Sequence, residues 1–281
     1  MERYKEIERT ILTSYRKRLW APFVRACKTY ELIEENDVIC VCISGGKDSM
    51  VLAKLFQELS RHSDIPFTAK YIVMNPGYNP ANLDRIKKNL EILNIPAEIV
   101  ETNIFEVANS QEKSPCYLCA RMRRGALYNI AKDRGCNKIA LGHHYDDVIE
   151  TTLMSVLNAG TLETMLPKLH STNFEGMELI RPLYLIREKD IIAWSNYNEL
   201  EFIRCACKFT ETIDLEKEIE SGSRRMDTKK LINKLLDYNP NVEKNIFKCT
   251  SNVNLNKILG YKKDGKVIPF LERYPELKED K

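Results

Sequence analysis

The stretch Asp37–Leu55 reads DVICVCISGGKDSMVLAKL. Val38 to Ile43 is a short apolar run rich in β-branched residues, which predicts a strand buried on both faces. Ser44, Gly45 and Gly46 predict a tight turn, because glycine lets the backbone bend sharply and approach a ligand. Lys47, Asp48 and Ser49 then open a helix, with Val51, Leu52, Leu55 and Phe56 at helical spacing. Such a strand-turn-helix aims unpaired N–H groups at one spot, at the positive end of a helix dipole. That spot suits a phosphate.

An ordinary connection would need no Lys47 and no Ser49. A cationic tip and a hydroxyl beside the glycines complete an anion cradle. The spacing is not that of a Walker loop, which places four residues between its glycines. SGGKDS resembles instead the pyrophosphate loop of the ATP-pyrophosphatase superfamily. That resemblance implies cleavage of ATP between its α- and β-phosphates, leaving an adenylylated substrate.

Outward from this stretch, strands and helices alternate. Phe67–Met74 reads as a strand ending in the turn Asn75-Pro76-Gly77, 82–93 as a helix, 97–102 as a strand and 138–141 as another. The pattern predicts an α/β fold, a parallel sheet with helices on both faces. In such sheets ligands sit at the carboxyl ends of strands. Met74 and Asn75 are expected there beside a nucleotide base or ribose. Gly142-His143-His144-Tyr145-Asp146-Asp147 follows the 138–141 strand and reads as an active-site edge. Adjacent histidines on an extended strand point to opposite faces, which argues against one metal held by both. Asp146 and Asp147 have two readings: caps for the helix that follows, or carboxylates that hold magnesium or take a proton. Residues 164–171 read as a loop, 179–185 as a short strand, 188–199 as a helix, 202–207 as a last strand, and 256–261 as a helix end.

The chain has 281 residues, 43% hydrophobic and 30% charged, with a net charge of +3. This describes a globular protein whose overall charge does not announce a nucleic-acid partner. No apolar run approaches a membrane span, and MERYKEIERT lacks a signal peptide's apolar core. Nine cysteines without an export signal point to a reducing, cytoplasmic setting. The expected divisions are a helical segment over 1–35, a nucleotide domain over 36–210 and a helical tail over 211–281. Residues 3–35 mix Arg16, Lys17, Arg18, Arg25 and Lys28 with Tyr15, Trp20, Phe23 and Tyr30. They read as a solvated helix face or an RNA contact. Ser221, Ser223, Arg224, Arg225, Lys229 and Lys230 form a second basic segment, with the same two readings.

Cys27, Cys40, Cys42, Cys136 and Cys249 read as core or surface thiols. Cys116 and Cys119 form a CxxC before the basic run Arg121, Arg123, Arg124. Cys205 and Cys207 form a CxC at a strand end. Two distant pairs brought together would clamp a metal. Four thiolates would close a tetrahedral zinc site, whereas three would hold a four-iron cluster with one iron open. Spacing leaves the two alternatives open.

From Tyr15 to Tyr261 the chain resembles the bacterial tRNA 2-thiocytidine synthetase family of cluster-dependent tRNA thiolases. IEENDVICVCISGGKDS, CYLCARMRRGALY, KIALGHHYDD, MLPKLHS and IRPLYLIREKDI carry the resemblance in order and interval. It implies a four-iron–four-sulfur cluster on Cys116, Cys119 and a third cysteine, with one iron open. Family members usually space the later pair as CxxC; here CxC puts the third ligand on Cys205 or Cys207. The resemblance further implies ATP on Ser44–Ser49, with Gly142 close by and magnesium held by Asp48 or Asp147. Lys47, Arg123, Asp146 and Asp147 are the expected catalytic residues. The implied reaction adenylylates the 2-oxo group of an anticodon-loop cytidine and replaces it with sulfur. Expected partners are tRNA and a sulfur donor, either a cysteine desulfurase or free sulfide, with a homodimer allowed. The rivals are 2-thiolation of a tRNA uridine, a zinc-bearing ATP-dependent ligase or amidotransferase, and a non-catalytic iron sensor that binds nucleotide and RNA.

Overall fold

The computed structural model describes residues 2–109, 115–203 and 224–277. It divides into two compact units, Met1–Val148 with Met165–Arg224, and Ile149–Thr164 with Arg225–Lys281.

The first unit is built on a six-stranded sheet. Its strands are β1 (Val38–Ile43), β2 (Thr68–Asn75), β3 (Ala97–Glu101), β4 (Lys138–Ala140), β5 (Lys168–His170) and β6 (Glu178–Ile180), in the order β3-β2-β1-β4-β6-β5. Every pairing is parallel except β5 with β6. β1 therefore lies between β2 and β4, and the chain's winding reverses beside it, where such sheets place ligands.

Alternation along β1 explains the two layers. Ile39, Val41 and Ile43 belong to one core with Leu52 and Phe56 of α3 (Lys47–His62) and Ile86 of α4 (Pro80–Ile92). Trp194 of α5 (Glu188–Tyr197) joins the same core. Cys40 and Cys42 face the other core, with Tyr128 and Ala131 of α6 (Pro115–Asp133). A strand buried on both faces must be apolar at every position, as VICVCI is.

The amino-terminal helices α1 (Arg3–Leu12) and α2 (Ala21–Thr29) flank a π-helical turn at Arg16–Trp20. Tyr15, Trp20 and Phe23 are buried in the first core, while Arg16, Lys17, Arg25 and Lys28 are exposed. These aromatic rings serve packing and are not available to stack on bases. Burial also extends to charge. Lys54 of α3 is fully buried, and its Nζ donates to Glu8 Oε1 at 2.6 Å, Gln57 Oε1 at 2.6 Å and the Leu93 carbonyl at 2.8 Å. Arg61 Nη1 donates to the other Glu8 oxygen at 3.0 Å. This cluster ties α1 to α3.

Four sequence expectations differ from the fold. The expected loop over 164–171 contains the edge strand β5, too short to carry an alternation signal. The expected helix end over 256–261 is a 3₁₀ turn at Leu255–Lys257 leading into the first strand of a hairpin, β7 (Gly260–Lys263) with β8 (Lys266–Pro269). Asp264-Gly265 between them is a hairpin turn signal that outweighs the helical reading. The β6 strand ends at Ile180, before Arg181-Pro182, where proline disfavours further ladder bonding. Of the expected 202–207 strand, Phe202 and Ile203 are in no strand, and the remainder lies outside the described residues.

Breaking the Lys54 cluster tests whether it anchors the amino-terminal helices. Burial works against the Glu8 carboxylate, but Arg61 and Lys54 outweigh it and lower its pKa below the ordinary 4.5. Its stabilisation is therefore complete above about pH 4.5 and lost as pH falls through the folded value. Glu8→Gln should cost about 3 kcal/mol at neutral pH, because Lys54 stays buried without its carboxylate. Urea unfolding as a function of pH should show the variant and the parent converging in acid.

Candidate functional site: a cavity at the carboxyl edge

The loop after β1 is fixed by its own side chains. Gly45 has φ +86, and a β-carbon there would lie 2.6 Å from Ile86 Cγ1 and 2.8 Å from Ile203 Cδ1. Only glycine meets both demands. Ser49 is buried, and its Oγ accepts the Ser44 N–H at 3.1 Å and donates to the Gly46 carbonyl at 2.9 Å. These two bonds close the turn and bring the first-turn amides of α3 to its mouth, where they have no intrahelical partners.

Lys47 and Asp48 are electrostatically joined. Lys47 Nζ lies 3.0 Å from Glu188 Oε1 and 3.2 Å from Asp48 Oδ2. Burial opposes the lysine's charge, but the two carboxylates outweigh it and raise its pKa. Asp48 has its pKa raised by burial, against the pull of His144 and Lys47. Its second oxygen, Oδ1, is buried and has no hydrogen-bond partner. His144 Nε2 lies 3.8 Å from that oxygen, too far for a hydrogen bond; a buried carboxylate oxygen without a donor, beside the loop, fits a divalent cation, which takes oxygen ligands.

The adjacent aspartates of the β4 edge have separate work. α7 (Tyr145–Met154) begins with a reciprocal cap: the His144 N–H donates to Asp147 Oδ2 at 2.9 Å, and the Asp147 N–H donates to His144 Nδ1 at 3.3 Å. Asp146 instead takes Arg187 Nη2 at 3.0 Å and the Glu188 N–H at 2.7 Å. Asp146 thus caps α5 and holds Glu188, which in turn holds Lys47. Gly142 permits the edge to close on the loop, since a β-carbon there would sit 3.2 Å from both Asp48 C and Ser49 N.

A cavity of about 340 Å³ opens between these parts. Ser44, Asp48, Ser49, Met74, Arg123, Gly142, His143 and Asp147 line it. Lys47 lines a neighbouring cavity of about 780 Å³ with Glu188 and Arg85, and Asp48 borders both. Arg123 and Leu127 reach the first cavity from α6. Cys116, Cys119, Arg123 and Leu127 follow one another at three- and four-residue steps, which places these positions along one stripe of that helix. Cys119 is half-buried against both cores. Cys205 and Cys207 lie outside the described residues. Among the described residues no three His, Cys, Asp or Glu side chains could hold a metal, so a cluster needs a ligand from beyond them.

Three residues of the site were not singled out from sequence. Tyr78 is buried and its hydroxyl donates to the Ser44 carbonyl at 3.1 Å, supporting the loop from the β2 side. Asn75 Oδ1 accepts the Tyr78 N–H at 2.7 Å and so places it. The signal was the Asn-Pro-Gly-Tyr turn at a strand's carboxyl end. Arg187 and Glu188 carried only the signal of a charged pair at a helix start.

Residues 16–208 match the family model of the PP-loop domain. The chain is 33% identical over 238 residues to the tRNA-cytidine(32) 2-sulfurtransferase of Geobacter sulfurreducens, covering 84% of this chain and 89% of that one. It is 35% identical over 242 residues to the enzyme of that name from Photobacterium profundum, covering 83% and 75%. Among solved structures, the fold is similar to that of the U34-tRNA thiolase NcsA from Methanococcus maripaludis with its four-iron–four-sulfur cluster. The TM-score is 0.63 at 23% identity, over 82% of this chain and 76% of that chain. At that identity the likeness is one of fold.

The close approach at Gly142 yields a test. Gly142→Ala should keep the fold and push the loop by a few tenths of an ångström, weakening ATP binding by about tenfold or more, a loss of about 1.4 kcal/mol. Calorimetric titration with ATP beside a melting curve separates the two effects.

Proposed function

The chain belongs to the PP-loop family and, within it, to the tRNA-cytidine(32) 2-sulfurtransferase family, and we propose that it performs ATP-dependent 2-thiolation of a tRNA cytidine at this cavity. One observation carries the reading. A glycine loop suited to phosphate, a buried carboxylate oxygen without a hydrogen bond and an arginine from the CxxC helix all line one cavity at the sheet's carboxyl edge.

In this reading the ATP phosphates rest on the amides of Ser44–Ser49, and the base lies toward Met74. Lys47 adds positive charge beside the loop. Asp48 Oδ1 would hold a magnesium ion, which would screen the charge of the phosphates. The 2-oxo group of the cytidine attacks the α-phosphorus, and pyrophosphate leaves. The oxygen, now part of a phosphodiester, can depart as AMP. A sulfur nucleophile then attacks C2, the C–S bond forms and the C–O bond breaks. Arg123 stabilises the negative charge that develops there. Of the two aspartates, Asp147 lines the cavity and in this reading manages a proton, whereas Asp146 positions Lys47 through Glu188. Cys116, Cys119 and either Cys205 or Cys207 would hold a four-iron–four-sulfur cluster, which supplies the sulfur to be transferred. Free sulfide, or a cysteine desulfurase together with a two-electron reductant for its sulfane sulfur, would replenish it. The target base leaves its stack to enter, at modest cost in an anticodon loop.

The test is anaerobic. The protein is reconstituted with iron and sulfide and given unmodified tRNA, ATP, magnesium and sulfide. The tRNA is then digested for nucleoside mass spectrometry. The expected product is 2-thiocytidine, formed only with ATP and lost in Cys116→Ala. Lys47→Ala should lower turnover by about 10²–10³-fold. The magnesium requirement should rise as pH falls, because Asp48 protonates more readily than an ordinary carboxylate; Asp48→Asn should abolish that dependence. A product of 2-thiouridine would keep the chemistry and change the substrate. A colourless, zinc-bearing protein that makes no thionucleoside would overturn the proposal.

A further inference from the structure

Positive charge is unevenly spread along this chain. Residues 225–281 hold thirteen Lys and Arg against eight Asp and Glu, an excess of five, while the excess for the whole chain is three. Within this region lies the hairpin of β7 and β8. Its turn residues Asp264 and Gly265 have φ +50 and +76. That is a two-residue turn with both centres left-handed, whose twist matches the strands it joins. The hairpin is also anchored from outside. Arg273 donates to the Leu255 carbonyl and, at 2.9 Å, to the Ile258 carbonyl, and its guanidinium lies 5.5 Å from the Tyr261 ring.

On this fixed frame the register sets Lys263 directly opposite Lys266, and Lys262 opposite Val267. All three lysines are exposed. None forms an ion pair among the described residues. Like charges directly opposite each other destabilise an antiparallel pair. The packing does not require them, since Tyr261 and Ile268 supply the half-buried pair beside them. A hairpin that sets Lys263 against Lys266 at a cost, with Lys262 next to them, is suited to a ligand that brings repeated negative charge. Leu259 and Val267, 83% and 63% exposed, border the cations with apolar surface.

We propose that the hairpin Gly260–Pro269 is an arm that binds the tRNA backbone, with Lys262, Lys263 and Lys266 each neutralising a phosphate. The assignment rests on the reading of this protein as one that acts on tRNA. Counter-ion release then makes the arm's contribution depend on salt, at about 0.7–0.9 logarithmic units per phosphate contact.

The full chain and its Lys262→Ala/Lys263→Ala/Lys266→Ala variant are titrated against fluorescent unmodified tRNA over a range of salt. The variant's slope of log affinity against log salt should fall by about 2 to 3, and its affinity at physiological salt by about 100-fold. ATP binding should be unchanged, which shows that the first unit is intact. The triple Lys→Arg variant should keep the parent's slope. If the parent binds tRNA and the alanine variant binds with the same slope and affinity, the proposal is overturned while the functional reading stands. If the parent itself fails to bind tRNA, that reading fails and takes the arm with it. If the variant loses only adhesion to vesicles of anionic lipid and keeps its tRNA affinity, the hairpin is a lipid-surface element and the proposal is likewise overturned.

Discussion

The hydroxyl of Ser49 is the constraint on which the carboxyl edge depends. It joins the amide of Ser44 to the carbonyl of Gly46, so the chain leaves β1 and enters α3 within three residues. A turn that short leaves no room for side chains on its flanks. Ile86 and Ile203 occupy the space beside Gly45, and the β4 edge comes up against Asp48 and Ser49 through Gly142. Tyr78 closes the third side through the Ser44 carbonyl. Packing from three elements, rather than the loop's own preference, holds the amides in a concave array. A cradle preorganised in this way loses little entropy when an anion binds.

Charge around the cradle is divided by geometry. Asp146 holds Arg187 and the start of α5, Asp147 caps α7 through Oδ2 and also lines the cavity, and Asp48 keeps one buried oxygen without a hydrogen bond, 3.8 Å from His144 Nε2. A buried carboxylate oxygen without a hydrogen bond costs stability unless something binds it. Its raised pKa is the same cost expressed as proton affinity. Lys47 is held by Glu188 and so lies toward the larger cavity. An incoming triphosphate would compete with Glu188 and Asp48 for that ammonium, so nucleotide binding and the Asp146–Glu188–Lys47 chain are coupled.

Much of this was legible in the sequence, for physical reasons that differ by element. VICVCI followed by Ser-Gly-Gly has one economical reading, because an apolar β-branched run and paired glycines leave a buried strand and a sharp turn. The strand-end rule then located Met74 and Gly142. The two aspartates were ambiguous because capping and catalysis use the same residue type at the same position. Only the partners, Arg187 in one case and His144 in the other, separate them. Lys54 and Glu8 were invisible, since a buried ion pair reads locally as an ordinary polar face. Tyr78 was missed because its hydrogen bond spans thirty-four residues. The hairpin over 260–269 was misread because two four-residue strands give too short an alternation to outweigh the helical neighbourhood.

The helix α6 joins the two halves of the proposed chemistry. Pro115 stands at its first position, where a missing N–H costs nothing. Cys116 and Cys119 therefore fall in and just beyond its first turn, at the positive end of the helix dipole. Thiolate ligands carry negative charge, and a helix start is where such charge is least costly. One turn on, Arg123 adds a full positive charge on the same stripe and reaches the cavity that holds the phosphate cradle. The field along this stripe favours negative charge at both places, which suits the proposed thiolate ligands at the helix start and the proposed developing charge beside Arg123. Under the proposed chemistry a lysine at position 123 would keep the charge but lose the planar fork that can pair two oxygens at once, so such a substitution separates guanidinium geometry from charge alone.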